Sequence, residues 1–174
     1  MSLKIVYETP EGGIAVVHPT GEVAIQELVL SVLPPGTVHE IVDSSVIPTD
    51  RLFRSAWKAT NVGVASTTTE VYEDVGISKS IAHDMRRAKR QELFAPYDEI
   101  IMKQIPGDDA IAAEAARVVI REENVGIQSA IEDSVDTNEI RQELFTRGII
   151  DTAPPVVVVV GVGSTSVGVG STTP

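Results

Sequence analysis

Cysteine is absent from the 174 residues, which excludes disulfides, zinc–thiolate sites and thiol catalysis and fits the cytosol or a particle assembled there. Aromatic residues make up only 4% of the chain, so a core has to rest on Val, Ile, Leu and Ala. Positive charge is scarce too. Lys and Arg number 14 against 25 Asp and Glu, a formal net charge of −11. Such a surface repels phosphate, so neither nucleic acid nor a membrane is expected as a partner. The opening MSLKIVYETPEGG lacks the basic-then-apolar layout of a signal peptide, and charges interrupt every apolar run before the C-terminal tail. A soluble, non-secreted protein with one domain and an appendage, or two small modules, is the expectation.

What is present is concentrated at the C-terminus. Residues 154–174 read PPVVVVVGVGSTSVGVGSTTP, and no charged side chain occurs from Thr152 onward. Val156, Val157, Val158, Val159 and Val160 followed by Gly161 and Gly163 resemble the first strand and phosphate loop of a nucleotide site. That site needs a helix immediately after the glycines, because its N-terminus supplies the aligned N–H groups. Here Ser166 stands where the third glycine would be, and no Lys follows Lys103. The segment instead contains a repeat: VGVGST at 160–165 recurs at 167–172. An uncharged β-branched run of this kind seeks an exposed sheet edge, so Val156 to Val160 and Val162 are candidate partner-binding residues.

The rest of the chain reads as α+β, with a small N-terminal β-rich module over 1–58, a linker or exposed hairpin over 59–76, a helical domain over 77–148 and an extended tail over 149–174. LKIVYETPEGGIAVVHP gives a hairpin turning on Gly12 and Gly13. EVAIQELVLSVLPPG spaces apolar residues on one helical face and ends at Pro34, Pro35 and Gly36. VHEIVDSSVIP and RLFRSAWK read as extended segments. Ser78 is the expected N-cap of a long helix whose stripe is Ile81, Met85, Ala88 and Leu93, and Pro96 is expected to kink or interrupt it. Asp108 is expected to cap a second, antiparallel helix joined through PGDD. Thr137 begins a short last helix that Gly148 closes.

Candidate chemistry is thin. His18, His39 and His83 lack the spacing of a metal site and read as ordinary histidines. The pairs Asp108/Asp109, Glu122/Glu123 and Glu132/Asp133 lack the alternating ligands of a calcium loop and read as helix-end acids or solvated faces. Ser44 and Ser45 lack the glycines of a nucleophile elbow. Arg86, Arg87, Lys89 and Arg90 form the dense basic cluster, with Arg86 and Arg90 aligned at i, i+4; it reads as a solvated face or as a dock for an acidic neighbour. Phe53, Ser55 and Trp57 alternate, so Phe53 and Trp57 are expected on one side of a strand, serving the core or, for Trp57, a partner. No constellation supports catalysis, a metal, a cofactor or a small-molecule substrate.

Three stretches carry a resemblance: KIVYETPEGGIAVVHP, VHEIVDSSVIPTDRLFRSAWK and ISKSIAHDMRRAKRQELFAPYDEIIMKQIPGDD. Over about residues 3–147 the chain resembles small structural proteins of tailed bacteriophages from marine and other aquatic hosts, cyanophage-like, with its most specific part at Ile47 to Trp57, an IPxDRxFRxAW-like pattern. The resemblance implies a virion or tail-associated component, made in the host cytoplasm, whose partners are other phage structural proteins and copies of itself. Tail, fibre or collar component, capsid decoration protein and assembly chaperone remain open alternatives. VGVASTTTEVY and the valine tail depart from the pattern, and both suit a subunit that reaches its neighbours.

Overall fold

The computed structural model describes residues 2–154. The expected strand addition through Val156 to Val160 and Val162 therefore lies outside the described residues. The first unit is a three-stranded antiparallel sheet in the order β2-β1-β3, formed by β1 (Leu3–Glu8), β2 (Ile14–Val17) and β3 (His39–Asp43). The β1–β2 turn closes with Thr9 N–H on Gly13 O and Gly12 N–H on Thr9 O, both at 2.9 Å, with Gly12 at φ +76°. Ile5 pairs with Val17 on one side and Ile41 on the other. Central position in the sheet is why Ile5 and Val6 are fully buried. Between β2 and β3 runs helix α1 (Ile25–Val32), which buries none of its own residues; Leu33, just past its end, is buried.

After β3 the chain departs from the sequence expectation. RLFRSAWK is extended only at its last two residues, Trp57 and Lys58. Asp50 Oδ1 accepts from Leu52 N–H at 2.8 Å, Arg54 N–H donates to Arg51 O and Ala56 N–H to Phe53 O, winding a turn and a short 3₁₀ helix (Arg54–Ala56). Phe53, Ala56 and Trp57 are then three and four residues apart on a tight helical turn, so all three are buried on one side while Ser55 is exposed. Phe53 and Trp57 do share a side, for a different reason than strand alternation.

Of the two readings of 59–76, the hairpin is the one observed: β4 (Trp57–Thr60) pairs antiparallel with β5 (Glu70–Glu73). Its loop folds back on itself, with Asn61 Nδ2–H on Thr68 O and Thr69 Oγ1–H on Asn61 O. Gly63 at φ +69° lies so close to Val38 that an added Cβ would come within 2.4 Å of it.

The long helix α2 (Val75–Met102) begins before the expected point. Asp74 is its N-cap, accepting from Ile77 N–H at 2.8 Å, and Ser78 is a buried residue of the first turns. Pro96 lies within this helix and does not end it; its ring leaves the Glu92 carbonyl without the usual donor. Helix α3 (Asp108–Asp133) has Gly107, not Asp108, at its N-cap, so Asp108 and Asp109 act on the first turn through the helix dipole. Helix α4 (Thr137–Thr146) is capped by Asp136, which accepts from Asn138 and Glu139 N–H, while Glu139 reaches back to Val135 N–H at 2.7 Å, a reciprocal capping arrangement. Gly148, at φ +62°, closes it as expected.

The α+β class is thus as expected, but its parts are not separate. Phe53 and Ala56, assigned to the N-terminal module, are buried with Ala82 of α2, Ile131 of α3, and Ile140 and Leu144 of α4. Ile149 and Ile150, assigned to the tail, pack against the same cluster. The buried stripe of α2 is Ser78, Ala82 and Arg86, with Ile81 and Met85 packed beside it and Leu93 exposed. Because Asp74 caps α2, Asp74→Ala is expected to lower stability by about 1 kcal/mol. Ser78→Ala leaves it unchanged or raises it, because the buried Ser78 Oγ has no hydrogen-bond partner among the described residues. Urea unfolding of both variants checks this.

Candidate functional site

The densest polar arrangement centres on Arg141 of α4, 4% exposed. Its Nη2–H donates to Glu73 Oε1 of β5 at 2.5 Å, and its Nε comes within 2.7 Å of Asp50 Oδ2. The Nε–H is not aligned on that oxygen, so the second contact is an ion pair and not a hydrogen bond. The guanidinium also stacks on the Phe53 ring at 4.9 Å. One cation thereby holds the turn that carries Phe53, the end of the β4–β5 hairpin and the last helix.

Clefts open on both sides of it. The larger, about 590 Å³, has Leu52 and Ile150 in its lining, together with Thr49, Arg51 and Thr152. The smaller, about 280 Å³, is bounded by Pro48, Thr137 and Asn138. Two carboxylates already engage Arg141, and Arg141 in turn engages both, so this is a clamp on the chain. It leaves neither an anion-binding cation nor a free carboxylate base at its centre.

Three of the expected partner-binding residues, Trp57, Arg86 and Arg90, lie among the described residues. Trp57 is 4% exposed, and its place is in the core. Arg86 is 7% exposed because it lies on the α2 stripe facing α3, where Nη1 donates to Asn124 O at 3.3 Å and to Asn124 Oδ1. Burial, with Arg90 and Arg87 nearby, pushes its pKa below the usual arginine range. Arg87 pairs with Asp84 and Lys89 with Glu92. Arg90 is half-buried and makes no ion pair within 4 Å among the described residues. The basic cluster is therefore divided between helix interface and surface.

The histidines are placed singly. His83 Nε2 meets Glu132 Oε1 at 2.8 Å across α2 and α3, and His39 Nδ1 lies 3.1 Å from Thr37 O. Burial, with Lys4, Arg51 and Arg54 around it, lowers the pKa of His18. Among the described residues no three His, Asp or Glu converge on a point that could hold a metal ion.

Two features escaped the sequence reading. Towards the far end of the hairpin, Phe94 of α2 is covered by Arg117 and Arg121 of α3, at 5.3 and 5.9 Å from its centroid, with Glu114 bridging both arginines and Asp98 pairing with Arg117. The signal was present as E-x-x-R-x-x-x-R, one helical face, but its aromatic partner lies on the other helix. The second feature is apolar surface left open: Leu30 on α1 is 85% exposed, Met102 and Ile105 are exposed where α2 turns towards α3, and α3 exposes Ile111, Val118, Val119 and Val125.

Compared with known proteins, the chain matches no family model, no curated protein and no solved structure. Two measurements test the polar arrangements. Arg141→Ala leaves the nearly buried Glu73 without its cation and is expected to cost about 3–5 kcal/mol in urea unfolding, several times the cost of Arg87→Ala at the surface. The Glu114 carboxyl is held below its usual range chiefly by the hydrogen bond from Arg121. Its contribution is therefore complete above the unfolded-state carboxyl pKa and disappears as pH falls through the lower folded value. Glu114→Gln is expected to flatten that acid limb of the stability curve.

Proposed function

We propose that the chain is a non-enzymatic structural component of a tailed-phage particle, associated with tail, fibre or collar, and joined to neighbouring subunits through its C-terminal valine segment. The observation that carries this reading is the open apolar surface on elements distant in sequence: Leu30 on α1, Met102 and Ile105 at the helical turn, and the outer face of α3. Apolar side chains exposed in groups, as Met102 with Ile105 and as Ile111, Val118 and Val125 along α3, mark contact surfaces more often than ones scattered singly. The resemblance at Ile47 to Trp57 supplies the setting.

The means of attachment is strand addition. Val156 to Val160 are five residues, the length of β3, an edge strand of the three-stranded sheet. A neighbour's valine run laid along such an edge would gain ladder hydrogen bonds, and alternate valines would enter apolar grooves. Repetition around a symmetric particle turns a weak contact per copy into a durable one. A tail-fibre assembly chaperone is the second reading, favoured by the formal net charge of −11, which suits shielding a basic client before release; a capsid decoration protein is the third.

Truncation after Pro154 tests the attachment. Particles assembled with the truncated chain should lack it, while the purified truncated chain keeps the circular dichroism and thermal transition of the full chain. Incorporation at the level of the full chain would rule the valine segment out as the clasp.

A further inference from the structure

We propose that the larger cleft beside Arg141 and the arginine pair on its rim form a docking site for a short acidic segment of another protein, with one apolar side chain in the cleft and flanking carboxylates on Arg51 and Arg54. The inference goes beyond the reading above: it uses nothing of the valine segment and holds for a particle subunit or a chaperone alike. The cleft measures about 590 Å³, within the range of roughly 300–1,000 Å³ usual for binding clefts. Leu52 and Ile150 give it an apolar wall, and Thr49 and Thr152 add hydroxyls. Asp50 and Arg141, its interior charges, are paired with each other. An apolar side chain is therefore what the interior fits.

Arg51 lines this cleft and is exposed. Arg54 N–H donates to Arg51 O at 3.1 Å, and in so tight a turn residues three apart eclipse, so both arginines stand on the same side. Arg54 is exposed as well. The positive charge continues onto the sheet. Ile5 pairs with Val17 across β1 and β2, which brings Lys4 level with His18 one step on. Lys58 Nζ–H bonds to Gly12 O and β4 lies against β2, so the turn leading into β4 sits beside the strand end that carries His18. Burial, and after it the charges of Lys4, Arg51 and Arg54, lower the pKa of His18. None of these four residues has a carboxylate within 4 Å among the described residues. In a chain with 25 acids to 14 Lys and Arg, cations gathered without a carboxylate select an acidic occupant.

Two other occupants fit less well. The chain's own valine segment continues from the cleft wall, but no charged side chain occurs from Thr152 onward, and both arginines would stay unmet. A nucleic acid would meet the arginines but gains nothing from the wall of Leu52 and Ile150. The net charge of −11 also repels an extended polyanion, whereas a segment with two carboxylates feels mainly the cations nearest to it. Carboxylates arriving beside Arg51 and Arg54 offset the repulsion on His18 and favour its charged form. Docking then takes up a proton, and it strengthens as pH falls through the His18 pKa of the complex.

The test is a titration of the full chain with a capped glutamate-leucine-glutamate tripeptide at low salt, read by NMR on the His18 ring and on the backbone of residues 49–54. Saturable shifts with a Kd of roughly 0.1–1 mM are expected, weakening with added salt, together with a higher His18 pKa in the complex. Arg51→Glu and Arg54→Glu should each weaken binding by about tenfold or more while keeping the circular dichroism and thermal transition of the parent chain. The glutamine-leucine-glutamine and glutamate-glycine-glutamate tripeptides should both bind more weakly by a similar factor. Absence of shifts at about 10 mM peptide, equal binding of the glutamine peptide, or binding indifferent to both arginine substitutions would overturn the proposal. Tighter binding of a thymidine trinucleotide, or self-association of the chain alone that Arg51→Glu abolishes, would assign the site to another occupant and overturn it too. None of these outcomes touches the particle reading, which fails only if the chain is missing from particles.

Discussion

Arg141 joins pieces of chain that nothing local would bring together. Its guanidinium ties α4 to Glu73, 68 residues earlier in sequence, and to Asp50 in the turn before Phe53, and it lies on the Phe53 ring itself. A cation buried to this degree is tolerable only with its carboxylates in place, and the carboxylate of Glu73, equally enclosed, is tolerable only with the cation. The arrangement thus specifies one packing of turn, hairpin and helix more than it adds to overall stability. With aromatic residues at 4% of the chain, specification by a buried polar cluster makes up for the sparse large rings that usually fix a core's register.

The same dependence reaches the surfaces assigned to assembly. Phe53 and Ala56 enter the helical core because the clamp holds their turn, and Ile149 and Ile150 close over that core at the point where the chain continues to Thr152 and Ala153 beside Arg141. Thr152 and Ala153 are therefore held beside α4. Fixing α4 also fixes the end of α3 through Ile131, Ile140 and Leu144, and so orients the outer face of α3. The interior stripe of α2, Ser78, Ala82 and Arg86, faces the bundle, and of the large apolar side chains of α3 Ile127 and Ile131 pack inward while Ile111, Val118, Val119 and Val125 face outward.

How much of this the sequence disclosed follows the range of each interaction. Gly12, Gly36 and Gly148 sit at turns whose positive φ angles only glycine takes easily, and the elements they bound were legible because that chemistry is local. The class, the β1–β2 hairpin, α1 and the αα-hairpin all rest on such signals. The start of α2 was misjudged because Asp74 and Ser78 are both acceptable caps, and the residue at the true start was passed over. Arg86 was read as surface because its partner, Asn124, lies 38 residues on, and no spacing rule connects them. The winding of Leu52 to Ala56 was missed for the same reason: alternation suggested a strand, while burial against helices beyond residue 75 decided for a turn. For the partner-binding residues, Trp57 and Arg86 were given to a partner where the fold uses them itself, while Leu30, Met102, Ile111 and Val125 are among the apolar side chains left exposed.

The central claim, that this chain is a built-in part of a phage particle, meets its most direct test in quantitative mass spectrometry of gradient-purified particles, counting the chain against the major capsid and tail proteins. The account expects it in a fixed ratio to the tail components in every preparation. Its absence from finished particles, with the chain still abundant in infected cells, would contradict that claim and point to a chaperone that leaves before assembly is complete.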